Sequence, residues 1–175
     1  MKIADFPASA ARASVAAALA EDRAADDITT LWSVPAGLIA TAKISTRQPG
    51  VAAELPVVPE VFAQTDAEVE VEVEVEVETL VADGVRLRAG DVLVRLTGSA
   101  RSLITAERTV LNFLQRLCGI ATVTDGFVQA VDGTPARILD TRKTAPGLRR
   151  WTSTPSPRAA AATTGSPWRR SRSRD

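Results

Sequence analysis

The chain has 175 residues, enough for one ordinary domain or two small ones, and its 45% hydrophobic and 24% charged residues are typical of a globular protein. The formal net charge is zero, so no overall basic field favours a nucleic-acid partner. The sequence has no histidine and one cysteine, Cys118. This excludes histidine-based acid–base catalysis, a disulfide framework and multi-cysteine metal sites.

The amino terminus carries no evident targeting signal. Lys2 is its only early positive residue and is followed by Asp5, and the apolar run over 14–20 is mostly alanine. Because no stretch approaches the ~18 apolar residues of a membrane span, we expect no membrane partner and a cytoplasmic location.

The first third of the chain alternates predicted helices and extended segments. Val15 and Leu19 lie four positions apart in an alanine-rich stretch, which favours a helix. Gln48-Pro49-Gly50 is typical of a turn. In chain order we predict a helix over 8–24, an extended segment beginning at 26–30, a strand over 41–46, a turn over 47–50 and a short helix over 57–64.

Residues 68–78 alternate Glu and Val without interruption. A period of two places every Val on one face and every Glu on the other, which predicts a half-buried strand. The alternative is a low-complexity expansion of a shorter strand. Neighbouring carboxylates on one face of a strand repel one another and do not stabilise a site, so we assign this run no catalytic role.

Residues 81–93 contain two glycines, Gly84 and Gly90, at turn positions between short strands. This pattern resembles the half-sandwich of biotinyl and lipoyl carrier domains, although no lysine lies between hydrophobic neighbours at a hairpin tip. A non-enzymatic carrier or interaction module is therefore one alternative for the function.

From residue 102 to about 121 the hydrophobic period becomes helical. Val110, Leu111, Leu114 and Leu117 share one face, and Thr105 is the expected N-cap. We predict a second helix over 123–131, a turn over 132–135 and a strand over 136–140.

Three cations, Arg108, Arg142 and Lys143, are candidates for substrate binding or catalysis. The predicted strand delivers Arg142 and Lys143 into a Pro-Gly turn, as barrel strands deliver charged groups to a site at their carboxyl end. Taken alone, these two are equally ordinary surface charges, and Arg108 alone is typical of a solvated helix arginine. Cys118 lies in a hydrophobic helix with no histidine to activate it, which favours a small buried residue over a reactive thiol.

Taken together with the segments around them, these three cations favour a substrate site over ordinary surface charges. The segments over 105–122, which include Thr105-Ala106-Glu107-Arg108, and over 138–149, which include Asp140-Thr141-Arg142-Lys143, closely resemble the quinolinate phosphoribosyltransferase family. Upstream, Asp27-Ile28-Thr29-Thr30 and the segment over 48–56 are similar to the same family's amino-terminal domain. The resemblance covers residues 10–149 or so.

The resemblance implies an α/β fold, in which an α+β amino-terminal open sandwich is followed by the start of an incomplete α/β barrel. We expect the sandwich and its linking helices over 1–135 and the first barrel strand over 136–150. It also implies a homodimer with shared active sites. The implied reaction joins quinolinate to phosphoribosyl pyrophosphate, with Mg²⁺, and gives nicotinate mononucleotide, pyrophosphate and CO₂ for NAD synthesis.

By match to the family motifs, Arg108 is expected to reach quinolinate across the dimer interface. Thr141, Arg142 and Lys143 are expected to line the substrate pocket, and Lys143 is the candidate catalytic residue; no metal ligand is assigned. A dicarboxylate and a polyphosphate both call for fixed cations, and arginine offers a bidentate fork to a carboxylate. A related pyrophosphorylase of the same fold, found beside molybdenum-transport genes, is the alternative within this fold.

Residues 151–175 depart from the family and contain no Val, Leu, Ile, Met or Phe, which predicts a disordered tail. The family continues here with approximately Lys-Tyr-Ala-Val-x-x-Gly-Gly-Gly-x-Asn-His-Arg-Leu. If the same codons are translated from one base earlier, they permit Asp-Lys-Tyr-Ala-Val-Ala-Ala-Gly-Gly-Gly-Ser-Asn-His-Arg-Leu, in the family's order and spacing. We therefore hypothesise a one-base frameshift near codon 150, which makes the chain an inactive or nearly inactive amino-terminal fragment.

Overall fold

The structure is a computed structural model that describes residues 8–68, 73–139, 143–146 and 148. In chain order its elements are α1 (Ala8–Asp22), a 3-10 turn (Ala24–Asp26), α2 (Ile28–Ser33), β1 (Ile39–Ser45), β2 (Gly50–Val51), α3 (Val57–Glu68), β3 (Glu76–Thr79), β4 (Arg86–Leu87), β5 (Val92–Ser99) and α4 (Ala100–Ala130). The mixture of helices and strands agrees with the predicted α/β class. Within the described residues, no helix is long and apolar enough to span a membrane.

The strands form two antiparallel sheets. β5 is the central strand of the larger sheet, with β1 on one side and β3 on the other, while β2 pairs with β4 in a two-stranded ladder. The β1–β5 register runs from Ile39 opposite Ser99 to Ser45 opposite Val92, with an irregularity after Ile44. Buried positions on β5, including Val94 and Leu96, turn one side of this sheet toward the helices.

The hydrophobic core lies among α1, α3, α4 and the larger sheet. Val15 and Leu19 of α1 are buried, which confirms the predicted helix and its inward face. From α4 the core receives Ala106, Val110, Phe113, Leu114 and Leu117. Burying each large apolar side chain of this kind contributes about 1.5–3 kcal/mol to folding.

Several predicted elements are confirmed. The strand predicted over 41–46 is β1, and the short helix predicted over 57–64 is α3, which continues to Glu68. Gly84 and Gly90 have φ values of 82° and 93°, the left-handed conformation that makes glycine favourable in such turns.

The segment after α1 was expected to be extended, and this prediction is wrong because residues 28–33 form α2. Asp27 begins the helix: its carboxylate accepts the Thr30 backbone N–H at 3.1 Å and the Thr30 hydroxyl at 2.6 Å. A carboxylate at this position satisfies amide groups that otherwise lack a partner in the first turn.

Two further predictions fail along α4. Its N-cap is Ser99, whose hydroxyl accepts the Ser102 backbone N–H, and not Thr105, which lies buried inside the helix. The second helix predicted over 123–131 is the continuation of α4 to Ala130. Thr122 and Thr124 do not break the helix because their hydroxyls donate to carbonyls one turn earlier, those of Cys118 and Ile120.

The Glu–Val run forms a shorter strand than its alternation predicts. Glu68 ends α3, residues 69–72 lie outside the described part of the chain, and β3 spans Glu76–Thr79. The predicted faces hold within β3, since Val77 packs against the core while Glu78 points outward and forms an ion pair with Arg95 on β5.

Residues 136–139 follow the predicted turn over 132–135 but do not form a strand. A strand exists only when a neighbour pairs with its backbone, and no described segment pairs with these residues. Asp140 and the tail over 151–175 lie outside the described residues. The first barrel strand and the domain boundaries therefore stay predictions.

Gly98 is expected to be essential for the larger sheet. A Cβ added there would lie 2.7 Å from both the Glu74 carbonyl oxygen and the Val75 Cα, and neither backbone atom can move aside cheaply. We expect Gly98→Ala to lower the free energy of unfolding by about 1–3 kcal/mol in urea denaturation followed by circular dichroism. In the control Gly119→Ala, the added Cβ would meet nothing within 4 Å, so stability should rise by about 0.5–1 kcal/mol. Equal stability of the two variants would show that the contact at Gly98 is unimportant.

Candidate active site

Arg108 lies on the exposed side of α4, where this helix crosses the end of α1. Its Nε donates to Oδ2 of Asp22 at 3.1 Å, and 59% of the arginine side chain is exposed to solvent. Ion pairs with this exposure contribute about 0–1 kcal/mol to stability. The guanidinium can therefore exchange Asp22 for an anionic ligand at little cost to the fold.

Asp27 connects the start of α2 to the same side of α4. Its Oδ2 accepts the hydroxyl of Thr105 at 3.3 Å, in addition to the two hydrogen bonds from Thr30. Since Thr105 and Arg108 are three positions apart on a helix, they lie on the same side of α4. The segments Asp27–Thr30 and Thr105–Arg108, far apart in sequence, are therefore neighbours in the folded chain.

The pKa of Asp27 is lowered below its ordinary value of 3.8, chiefly by the hydrogen bond from the Thr30 hydroxyl. Burial opposes this effect, while the Thr30 N–H, the Thr105 hydroxyl and the positive charge of Arg108 add to it. Asp27 therefore stays ionised at neutral pH and adds negative charge to the environment of Arg108.

The other end of α2 is also fastened to α4. Arg101 donates from Nε to the Val34 carbonyl at 2.9 Å and from Nη2 to the Leu31 carbonyl at 3.1 Å. With Asp27 and Thr105 at the opposite end, α2 is fixed at two points along the first turns of α4. This holds α2 in place beside the helical turn that presents Arg108.

The remaining predicted site residues follow α4 at a distance in sequence. Lys143 is exposed and lies outside helices and strands, and five residues later Leu148 packs against the hydrophobic core. Thr141 and Arg142 lie outside the described residues. The predicted pocket formed by these residues and Arg108 therefore stays a prediction.

The residues described here do not fit a Mg²⁺ site. No group of three or more Asp, Glu, His or Cys side chains comes together among them. Asp27, the acid next to Arg108, already accepts two threonine hydroxyls and an amide. Mg²⁺ that arrives with phosphoribosyl pyrophosphate stays an expectation, and we assign it to no residue of this part of the chain.

A second set of contacts, along the carboxyl half of α4, was missed by the sequence analysis. Asp125 is buried and accepts from Arg86 Nε at 2.9 Å and from Arg86 Nη2 at 3.2 Å. Thr122 Oγ1 accepts the Val51 backbone N–H at 2.9 Å, and a Cβ on Gly50 would lie 2.9 Å from that oxygen. These contacts fix the helix to the β2–β4 ladder. In the sequence, only the three-residue spacing of Thr122 and Asp125 indicated that the two polar side chains share one side of the helix.

Cys118 is half-buried, and its Sγ lies 3.7 Å from the Ala53 carbonyl oxygen. Burial raises the pKa of the thiol above its ordinary value of 9.0, and the nearby charge of Asp83 raises it further, against the hydrogen bond to Ala53. The nucleophilic thiolate is therefore scarce at neutral pH, which supports the interpretation of Cys118 as a packing residue.

Asp27→Ala should remove both the α2 cap and the link to Thr105, lowering the free energy of unfolding by about 1–2 kcal/mol. The lowered pKa implies that the charge of Asp27 contributes fully above its ordinary value of 3.8 and that the contribution is lost as pH falls through the folded-state pKa. The stability difference between the unmodified chain and Asp27→Asn should therefore shrink on acidification. The control is Asp26→Ala, an exposed partner of Arg23. If Asp27→Ala were no more harmful than this control in urea denaturation, the role assigned to Asp27 would be wrong.

Cys118 should react slowly with a thiol reagent such as dithionitrobenzoate in the folded chain. The raised pKa and the partial burial predict a rate at least about tenfold below that of the urea-unfolded chain at the same mildly alkaline pH. Absorbance of the released thiolate measures both rates. Equal rates would contradict the assignment of Cys118 to packing.

Comparison with known proteins identifies the family. Residues 27–118 match the family described as Quinolinate phosphoribosyl transferase, N-terminal domain, and residues 120–165 match the C-terminal domain of the same name. The second match continues into residues 151–165, part of the tail predicted to be out of frame.

The relatives found among curated proteins carry a consistent name. The nicotinate-nucleotide pyrophosphorylase (carboxylating) of Mycobacterium leprae (strain TN) is 45% identical over 152 residues, which are 84% of this chain and 51% of that protein. The chloroplastic protein of the same name from Oryza sativa subsp. japonica is 39% identical over 140 residues, 79% of this chain and 35% of its own length. The chain thus spans about half the length of its bacterial relative.

Solved structures share the fold. The nicotinate-nucleotide pyrophosphorylase from Francisella tularensis superposes with a TM-score of 0.76 at 31% identity, covering 89% of this chain and 56% of that one. NadC from Streptococcus pyogenes superposes with a TM-score of 0.71 at 35% identity, covering 81% of this chain and 51% of that one. Since the amino-terminal match alone covers more than half of the 175 residues, the chain belongs to the quinolinate phosphoribosyltransferase family.

Proposed function

We propose that the protein encoded without the frameshift near codon 150 converts quinolinate and phosphoribosyl pyrophosphate to nicotinate mononucleotide, pyrophosphate and CO₂ for NAD biosynthesis. The observation that carries this proposal is the meeting of Asp27–Thr30 with Thr105–Arg108, two segments that resemble the family and that together present an exposed arginine. The names of the curated relatives favour this reaction over that of a molybdenum-associated pyrophosphorylase. The family membership also leaves no support for a carrier module.

Arg108 supplies what a dicarboxylate substrate needs. Its guanidinium offers parallel N–H donors that match one carboxylate of quinolinate, and this charge-assisted pair replaces the weak surface ion pair with Asp22. The negative charge of Asp27 keeps the local field from being strongly positive when no substrate is bound. Arg108 therefore acts as a positioning and binding group, and catalysis gains from the fixed orientation of the substrate.

Lys143, together with Thr141 and Arg142, is proposed to complete the pocket. A lysine ammonium beside the reacting centre stabilises negative charge on the pyrophosphate as its bond to the ribose C1 carbon breaks. Mg²⁺ bound to phosphoribosyl pyrophosphate would neutralise further charge on the same leaving group. The exposed position of Lys143 is compatible with this role.

We propose that the active protein is a homodimer located in the cytoplasm. Ile28, Leu31 and Trp32 of α2 are exposed apolar residues at helical spacing, and Trp32 is 86% exposed. α2 is fastened to α4 close to Arg108, so a partner subunit that covered α2 would lie close to this arginine. This supports an active site shared between two chains.

The proposal predicts a clear activity pattern. The 175-residue chain should form no measurable nicotinate mononucleotide from quinolinate and phosphoribosyl pyrophosphate with Mg²⁺, because it spans about half the length of its bacterial relative. The protein expressed after a one-base insertion near codon 150 should be active. In that protein, Arg108→Ala should lower kcat/KM by at least about a hundredfold, the effect of losing a charge-assisted pair to substrate.

Arg116→Ala is the matched control, since Arg116 is also an exposed arginine of α4. Its kcat/KM should stay within about twofold of the unmodified value. Inactivity of the protein with the one-base insertion, or equal kcat/KM for the Arg108 and Arg116 variants, would contradict the proposed function. Activity of the 175-residue chain would contradict only its description as an inactive fragment.

A further inference from the structure

The Glu–Val run allows β3 more than one way of pairing with β5. In the structure Glu76 lies opposite Thr97 and Glu78 lies opposite Arg95. Side chains of a strand alternate between its two faces, so a shift of β3 along β5 by two residues keeps every side chain on its own face. Because the run repeats every two residues, this shift also brings the same residue types to the same places. We call the arrangement in which Glu74 has replaced Glu76 the shifted register.

The exposed face of the sheet gains and loses nothing in the shifted register. Glu78 forms an ion pair with Arg95 in the structure. After the shift Glu76 lies opposite Arg95 and offers the same carboxylate, while Glu74 takes the place of Glu76 opposite Thr97. The exposed face therefore does not distinguish the two registers.

The core face of β3 favours the shift. Val75 and Val77 pack half-buried against the core, whereas Val73, one repeat earlier, is 47% exposed. The shift moves Val73 into the place of Val75. It also moves Val77 into the place of Thr79, an exposed residue that lies opposite buried Val94. An apolar side chain thus leaves water and a polar one enters it, which is favourable.

The contacts that hold the start of β3 involve its backbone and not its side chains. Asp66 is buried, and its Oδ2 accepts the Val75 backbone N–H at 2.8 Å. Within the described part of the chain, its Oδ1 has no hydrogen-bond partner. The backbone N–H of Val73 can replace that of Val75 at this carboxylate. Gly98, which lets the main chain at Glu74 cross closely, accommodates any residue of the run equally.

The connections on both sides of β3 can absorb the displacement. Upstream, α3 ends at Glu68 and β3 begins at Glu76, so the shift leaves five residues between them, a common length for a helix-to-strand connection. Downstream, Asp83 is fixed because its Oδ1 accepts the Leu55 backbone N–H at 3.0 Å. Residues 80–82 lie outside helices and strands and take up the two extra residues. The entropy cost of closing a loop grows only slowly with its length.

We propose that β3 exchanges between the register seen in the structure and the shifted register, while α3, β4 and β5 stay in place. The exchange is a conformational device that the Glu–Val repeat builds into the larger sheet, and it lengthens and shortens the connection over 80–82. It does not depend on the proposed reaction.

Engineered disulfides in the 175-residue chain test this proposal, with Cys118→Ser as background. Glu76→Cys/Thr97→Cys reports the register of the structure, and Glu74→Cys/Thr97→Cys reports the shifted one. Diagonal neighbours on paired strands are about 7–8 Å apart, too far for the ~3.5–4.5 Å between the Cβ atoms of a disulfide. With oxidised glutathione as electron acceptor, alkylation and mass spectrometry give the rate of bond formation. The shifted-register pair should form its bond at no less than about 1% of the rate of the other pair.

The matched control is Glu78→Cys/Thr97→Cys, which reports a shift in the opposite direction. That shift puts Thr79 and Leu80 in the places of Val77 and Glu78, because the repeat ends there. The control pair should therefore form its bond at least about tenfold more slowly than the shifted-register pair. Circular dichroism should show all three double variants folded.

Val73→Asp, added to each pair, separates the registers further. Val73 is exposed in the structure but enters a half-buried place in the shifted register, where a carboxylate is unfavourable. Bond formation in the shifted-register pair should slow by at least about fivefold, while that of Glu76→Cys/Thr97→Cys should stay within about twofold. If the shifted-register pair reacts no faster than the control, or if Val73→Asp leaves its rate unchanged, β3 has a single register and the proposal is overturned.

Discussion

The packing of α4 against the amino-terminal core is the constraint on which the rest of the structure depends. Its first five turns bury Ala106, Val110, Phe113, Leu114 and Leu117 against α1, α3 and the larger sheet. Its later turns are held by Asp125 and Thr122 to the β2–β4 ladder. Because both halves are fixed to one body, the helix keeps a single orientation through the boundary between the two family domains. This orientation decides which side chains face inward and which are presented outward.

The candidate site is a direct consequence of that orientation. The buried side of α4 leaves Arg108 outward at the crossing with α1, where Asp22 lies within ion-pair distance. Asp27 caps α2 and contacts Thr105, so a short helix with little intrinsic stability is held beside the arginine. The hydrogen bonds that order this region leave the Arg108 guanidinium accessible. In the proposed function this exposure lets one arginine serve a pocket completed by other parts of the enzyme.

Much of the fold is predictable because its signals are local. The spacing of Val15 and Leu19, the apolar face of α4 through Leu117 and the turn glycines Gly84 and Gly90 each specify the structure that forms. The failures have two causes. The caps Asp27 and Ser99 are local signals that the sequence analysis passed over. The attachments of α2 to α4 through Arg101 and Thr105, and that of half-exposed Arg86 to buried Asp125, join residues 39 to 78 positions apart. For the site, the motif match selected Arg108, but no pattern in the sequence indicated its contact with Asp22.

The central hypothesis is that this chain is the amino-terminal part of a family enzyme whose coding sequence changes frame near residue 150, although the C-terminal family match continues to residue 165 in the frame as written. The direct test is to sequence the genomic DNA across codons 145 to 155 from a fresh template and to translate all frames downstream. The account predicts that one alternative frame continues the family sequence through an Asn-His-Arg block, joined to codon 150 by a one-base difference. If no alternative frame contains that block, the tail belongs to the protein as written and the account is wrong.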